Sequence, residues 1–204
     1  MLKHARAFFS RLFAPLARLL LRMGLTPNAV TVIGTVGVSL GALILYPLGQ
    51  LFWGTVVITL FIFSDLLDGM MARMGNQGTV LGGFLDSVLD RVQDSAVFLG
   101  LMIWFYTSGD NARIGSVAAI CMVLGLLVSY IRARAESMGF DANVGIAERP
   151  ERLVSTLVAA GLVGLGLHEA VLHVVLVLLA IASAVTVAQR ITAVAQQANQ
   201  PRAG

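Results

Sequence analysis

Charge is what this chain is short of. Only 12% of its 204 residues are Asp, Glu, Lys or Arg, about half of the roughly 25% found in soluble domains. Cysteine is rarer still, and the single Cys121 rules out an internal disulfide framework. Internal repeats and low-complexity tracts are missing as well. Together these scarcities exclude an ordinary water-soluble domain, a disordered chain and a disulfide-stapled one. What fills the space is apolar: 57% of the residues, above the roughly 45–50% of soluble domains, with a mean hydropathy of +0.85. The length suits one domain. The net charge of +3, in so apolar a chain, points to the anionic cytoplasmic lipid surface and not to nucleic acid.

A bilayer span needs about 20 mostly apolar residues, and six stretches are candidates: 26–48, 51–71, 81–106, 114–131, 153–167 and 171–187. Turn chemistry separates them, at Pro47-Leu48-Gly49, Gly75–Gly78, Ser108–Asn111, Gly139–Pro150 and Gly166–Glu169. With the N-terminus inside, Arg113 alone of the fourteen basic residues falls outside. The positive-inside rule therefore predicts a multi-pass protein of the cell (inner) membrane with both termini cytoplasmic. Upstream, Phe9, Leu12, Leu16 and Leu20 recur at helical spacing, with Arg11, Arg18 and Arg22 on another side. Those arginines interrupt any signal-peptide core, so residues 1–23 are expected to form an amphipathic helix in the cytoplasmic interface. The expected architecture is all-α: that interfacial helix, a six-helix domain over residues 24–196, and a cytoplasmic tail at 197–204. Gly37 and Gly41, and Gly161, Gly164 and Gly166, mark places for close helix contact. Trp53, Trp104 and Tyr106 would form an outer aromatic belt.

The few acids are the informative residues, because charges inside spans are costly and default to function. Asp65 and Asp68 sit near the inner end of the second span, and Asp86 and Asp90 near the start of the third. Spacings of three and four residues put each pair on one helix face. The short Gly75–Gly78 turn makes the two helices antiparallel, with both pairs at the same depth. Four carboxylates converging there cannot all remain ionised unless cations lie between them. Oxygen donors without His or Cys favour a hard ion: Mg²⁺, Mn²⁺ or Ca²⁺. Asp94, one turn beyond Asp90 and outside that spacing pattern, is expected in a supporting hydrogen-bond role in preference to metal ligation.

The string Asp65-x-x-Asp68-Gly69-x-x-Ala72-Arg73, eight residues, Gly82-x-x-x-Asp86-x-x-x-Asp90 resembles the defining motif of the CDP-alcohol phosphatidyltransferase family, with every position filled. The resemblance implies an enzyme that breaks the diphosphate of a CDP-linked lipid and passes the phosphatidyl group to an alcohol, releasing CMP. It implies two Mg²⁺ ions, with Mn²⁺ as the alternative, held by Asp65, Asp68, Asp86 and Asp90. Asp90 would also take the proton of the attacking hydroxyl. Gly69 and Arg73 would contact CDP-diacylglycerol, Gly82 would make room for the nucleotide, and Thr79 is a further contact. The segment Asn28-Ala29-Val30-Thr31 would reach the pyrimidine or ribose. A homodimer is also implied.

Cations near the inner face bear on the acceptor. Arginine grips phosphate bidentately, so an arginine-rich rim suits an acceptor that is itself phosphorylated. The strings Ser129–Glu136 and Gly145–Arg152 are similar to those of the branch of the family that uses inositol 1-phosphate. By that resemblance Ser129, Arg132, Arg152 and Arg190 would form the acceptor pocket and the product would be phosphatidylinositol phosphate. Arg132 stands where that branch carries lysine. The branch using glycerol 3-phosphate is the alternative enzyme, and an ion transporter with intramembrane carboxylates the alternative of another class.

Overall fold

A computed structural model describes residues 13–75 and 79–199, and among them every regular element is helical. The helices are α1 (residues 13–22), α2 (Pro27–Leu40, continued by a π-helical turn at Gly41–Leu45), α3 (Leu51–Ile62), α4 (Ser64–Met74), α5 (Val80–Tyr106), α6 (Ala112–Ser137), α7 (Arg149–Gly164) and α8 (Ala170–Ala198). Phe9, Arg11 and Leu12, most of the Gly75–Gly78 turn, and the tail beyond residue 199 lie outside the described residues.

Four helical stretches are long and apolar enough to cross a membrane: Pro27–Leu45, Leu51–Met74, Ala112–Ser137 and Ala170–Ala198. The protein is accordingly an all-helical, multi-pass membrane protein. The other two expected spans correspond to α5, whose first turns carry Asp86, Asp90, Arg91 and Asp94, and to α7, which has 16 residues. The second expected span is broken. Its helix ends at Ile62 and restarts at Ser64, with Phe63 between them, so Asp65 falls in the first turn of a new helix, where a carboxylate favours the dipole.

The chain divides into two compact units. The first takes the chain up to Gly41 together with Val56–Gln93. Here Thr26 caps α2, accepting from Ala29 N at 3.2 Å, and Pro27 occupies its first turn. The packed face of α1 runs through Phe13, Ala14, Ala17, Leu20 and Leu21, against Val30 of α2 and Leu67, Met70 and Met71 of α4. The expected stripe through Leu16 is thus displaced, and Leu16 is exposed. A Cβ on Gly34 of α2 would collide with the Ser64 hydroxyl of α4, and one on Gly37 with the Phe61 ring of α3. Gly41 leaves 3.0 Å to Val57 Cγ1. The Gly37/Gly41 pair is therefore used within one chain.

The second unit comprises Ala42–Thr55 and the chain from Asp94 onward. In it α8 packs along both α6 and α7. Gly100 of α5 lies against the Ala42 carbonyl and Gly164 of α7 against the Phe52 backbone, both too close for any side chain. Tyr46 is fully buried, its hydroxyl 3.0 Å from Thr55 Oγ1. Trp104, expected in the aromatic belt, is instead buried beside Phe105. Trp53 and Tyr106 are exposed as expected.

Candidate active site

One cavity of about 210 Å³ opens in the first unit. Pro27, Asn28 and Thr31 of α2, Asp65, Asp68, Gly69 and Ala72 of α4, and Thr79, Gly82, Gly83 and Asp86 at the start of α5 line it. Three of the four aspartates singled out in the sequence therefore face one space. Asp68 is the most deeply placed, 6% exposed, and accepts a 2.6 Å hydrogen bond from Thr31 Oγ1. Thr31 also donates to Pro27 O at 3.1 Å, so the first turn of α2 positions it. Thr79 caps α5, accepting from Gly82 N at 2.9 Å, and a Cβ on Gly82 would stand 3.0 Å from Asn28 Oδ1. The glycine keeps this mouth open.

Arg73 and Asp90 stand beside the lining. The Arg73 guanidinium lies over Gly69, 3.8 Å from where a Cβ would be. Asp90, one turn past Asp86, has Oδ2 3.5 Å from Arg91 Nη1, and Arg91 also donates to Ser87 O at 2.7 Å. Two expected contacts point elsewhere: the Val30 side chain enters the packed core, and the amide of Ala29 serves the Thr26 cap.

Two residues escaped the sequence reading. Gln93 Nε2 donates to Asp65 Oδ1 at 3.2 Å and to Thr35 Oγ1 at 3.1 Å. Thr35 in turn donates to Thr31 O at 3.0 Å. A buried amide thus ties α5 to both α2 and the first carboxylate. The available clue was spacing: Gln93 continues the face of Asp86 and Asp90, and an amide in a span calls for a partner.

The lining carries three carboxylates and, among the described residues, no Lys or Arg side chain. Such a wall repels a diphosphate by itself. Its all-oxygen donor set is what a hard divalent cation takes, so the residues fit such an ion. Among the described residues, no three acidic, His or Cys side chains are gathered at ligand spacing.

The residues expected to meet the acceptor lie in the second unit. Ser129 and Arg132 are on the last turns of α6, and Arg132 Nε donates to Glu136 Oε1 at 2.9 Å. Arg152 is 1% exposed, giving Nη1 to Ala147 O at 3.0 Å and Nη2 to Asp94 Oδ2 at 3.3 Å, while its Nε has no partner. Gly125 of α6 makes the notch: a Cβ there would stand 3.3 Å from that Nε. Asp94 also accepts from Arg149 Nε at 3.0 Å, which gives it the supporting role expected of it. Arg190 donates to Val144 O at 2.8 Å and Val128 O at 2.6 Å, and to Glu148 Oε1 at 3.3 Å. Both arginines are more deeply buried than a freely reaching phosphate ligand.

A helical membrane protein with this aspartate, glycine and arginine string around one polar cavity is a lipid-handling transferase. The family model for CDP-alcohol phosphatidyltransferase matches residues 24–188, and the chain belongs to this family. It is 47% identical over 201 residues to the phosphatidylinositol phosphate synthase of Streptomyces avermitilis, covering 96% of this chain and 82% of that one. Among solved structures, Mycobacterium tuberculosis phosphatidylinositol phosphate synthase with CDP-DAG bound is 41% identical with a TM-score of 0.89, covering 95% of this chain and 100% of that one. The same enzyme in complex with manganese and citrate is 41% identical with a TM-score of 0.86, covering 93% and 92%.

Proposed function

We infer that the protein transfers the phosphatidyl group of CDP-diacylglycerol to inositol 1-phosphate, yielding phosphatidylinositol phosphate and CMP. The observation that carries this is the cavity walled by Asp65, Asp68 and Asp86, in a chain 47% identical to a phosphatidylinositol phosphate synthase. The transporter alternative loses its basis with family membership.

In this reading Asp65, Asp68, Asp86 and Asp90 hold two Mg²⁺ ions. The manganese complex of the tuberculosis enzyme supports a divalent metal. When bound, the metal supplies the positive charge that the diphosphate and its leaving group require. Asn28, Thr31, Thr79 and Gly82 shape the nucleotide end of the cavity, and Gly69 leaves the Arg73 guanidinium clear to meet phosphate. Ala29 and Val30 contribute by setting the first turn of α2. An acceptor hydroxyl attacks the phosphatidyl phosphorus, forming a new P–O bond while the P–O bond to CMP breaks. Asp90 takes the hydroxyl proton. Ser129, Arg132, Arg152 and Arg190 serve the acceptor, the two buried arginines as fixed positive charge.

The same reading makes α5 and α7 the remaining two of six spans. It places α1 in the cytoplasmic interface, both termini and the site on the cytoplasmic side of the cell membrane, and the working form as a homodimer. Residues 1–23, 24–196 and 197–204 are then the interfacial helix, the catalytic domain and the tail.

Purified protein supplied with CDP-diacylglycerol tests the reaction directly. CMP release is expected with inositol 1-phosphate and Mg²⁺, and loss of release on chelation. Turnover with glycerol 3-phosphate and none with inositol 1-phosphate would overturn the acceptor assignment.

A further inference from the structure

The connector between α6 and α7 delivers Glu148, Arg149 and Arg152, and α8 holds it at three successive points. Near its start, Gln197 Oε1 accepts from Asp141 N at 2.9 Å and its Nε2 donates to Asp141 O at 2.5 Å. Nearly two turns back along α8, Arg190 Nε donates to Val144 O at 2.8 Å. One turn further back, Thr186 Oγ1 accepts from Ile146 N at 3.2 Å and from Ala147 N at 3.1 Å. The connector thus runs antiparallel to α8 and is fastened rung by rung.

The last rung has features beyond simple satisfaction of a buried hydroxyl. Thr186 is fully buried and already donates to Ala182 O at 2.9 Å, which is all that a threonine in its own helix needs. Its two lone-pair sites are instead spent on consecutive loop amides. Gly145 beside it has φ +149, and a Cβ there would strike Thr186 Cγ2, so the loop backbone is shaped to this side chain. Ala147 is the pivot. Its N–H is held by Thr186, and its carbonyl accepts from Arg152 Nη1 at 3.0 Å. The next residue, Glu148, meets Arg190 Nη2.

We propose that Thr186 is a positioning residue for the phosphorylated acceptor: through the Ile146 and Ala147 amides its hydroxyl fixes the backbone against which Arg152 and Arg190 are aligned. This rests on the acceptor reading above. A charge held to within an ångström matters because small misplacements of binding groups carry large costs.

The test uses the full chain in mixed micelles with CDP-diacylglycerol and Mg²⁺. Thr186→Val keeps the shape and removes the hydroxyl, while Thr186→Ser keeps it. The valine variant is expected to raise KM for inositol 1-phosphate roughly tenfold, leaving KM for CDP-diacylglycerol within about twofold, and serine should restore the acceptor KM. Hydrogen exchange at Ile146 and Ala147 should accelerate in the valine variant alone. An unchanged acceptor KM in Thr186→Val would overturn the proposal. So would a parallel loss in both substrates with a lowered Tm that serine does not rescue. Should the valine variant not fold, Gly145→Ala disturbs the same joint from the loop side. Faster exchange at 146 and 147 with a normal acceptor KM there is equally fatal. If the wild-type enzyme turns over only glycerol 3-phosphate, the acceptor reading fails by itself. The same KM comparison, run with that acceptor, still decides the role of Thr186.

Discussion

Asp90 and Gln93 sit one turn apart on α5 and do different work. Asp90 has Oδ2 3.5 Å from Arg91 Nη1, beside the cavity lining, and the proposed reaction gives it the proton of the acceptor hydroxyl. Asp90→Asn is expected to lower kcat by about 10²–10⁴-fold, the usual worth of a general base, while CDP-lipid binding persists in a direct binding assay. Gln93 instead donates from its amide nitrogen to both Asp65 and Thr35. Gln93→Leu strips two buried groups of their donor and is expected to cost about 1–3 kcal/mol in stability. It should also raise the Mg²⁺ concentration for half-maximal rate and weaken Mn²⁺ binding measured by calorimetry. The aspartates were legible because acids in spans are expensive and their spacing is periodic. Gln93, Thr35 and Thr186 were not, because an uncharged polar residue in a span commonly satisfies itself locally, and only tertiary contact reveals which partner it has.

At the level of helices, the second span shows what periodicity misses. Residues 51–71 read as one apolar run, yet the chain ends α3 at Ile62 and begins α4 at Ser64. Nothing as conspicuous as proline marks the break, since the competing preference is set by α2 packing closely on α4. Gly34→Ala should test that contact. A Cβ there meets the Ser64 hydroxyl, so the substitution is expected to destabilise by about 1–3 kcal/mol, as overpacking does, and to lower activity without changing the ratio of the two KM values. α8 outran its expected end at Val187, continuing to Ala198. The added turns carry Arg190 and Gln197, which the connector satisfies.

For the molecule as a whole, the proposed orientation rests on the placement of charge. The connector of α5 to α6 carries Asp110, with Arg113 in the first turn of α6, whereas the α6–α7 connector is flanked by Arg132, Arg134, Arg149 and Arg152. Cysteine placed at Asn111 should be labelled by an impermeant maleimide in intact cells, and cysteine at Asn143 only after lysis. The native Cys121 is buried, donating to Leu176 O at 3.2 Å, and should stay silent. Labelling in the opposite sense would reverse the topology. The all-helical, multi-pass class was legible from composition, and four of the six expected spans stand out as apolar helices, whereas α5 and α7 are harder to read: one spends its hydropathy on carboxylates and the other is short.

The glycines of the first span are consumed inside one chain, filled by Phe61, Val57 and Ile58. What α2 turns outward is bulky: Val32, Ile33, Val36 and Leu40, each about half uncovered. A neighbouring helix, or a lipid tail, approaching this side meets branched side chains and cannot come within backbone reach. Association there would depend on many weak dispersion contacts, so shortening any one of them should shift it only slightly, and no solitary position would act as a switch between the lone and the paired protein.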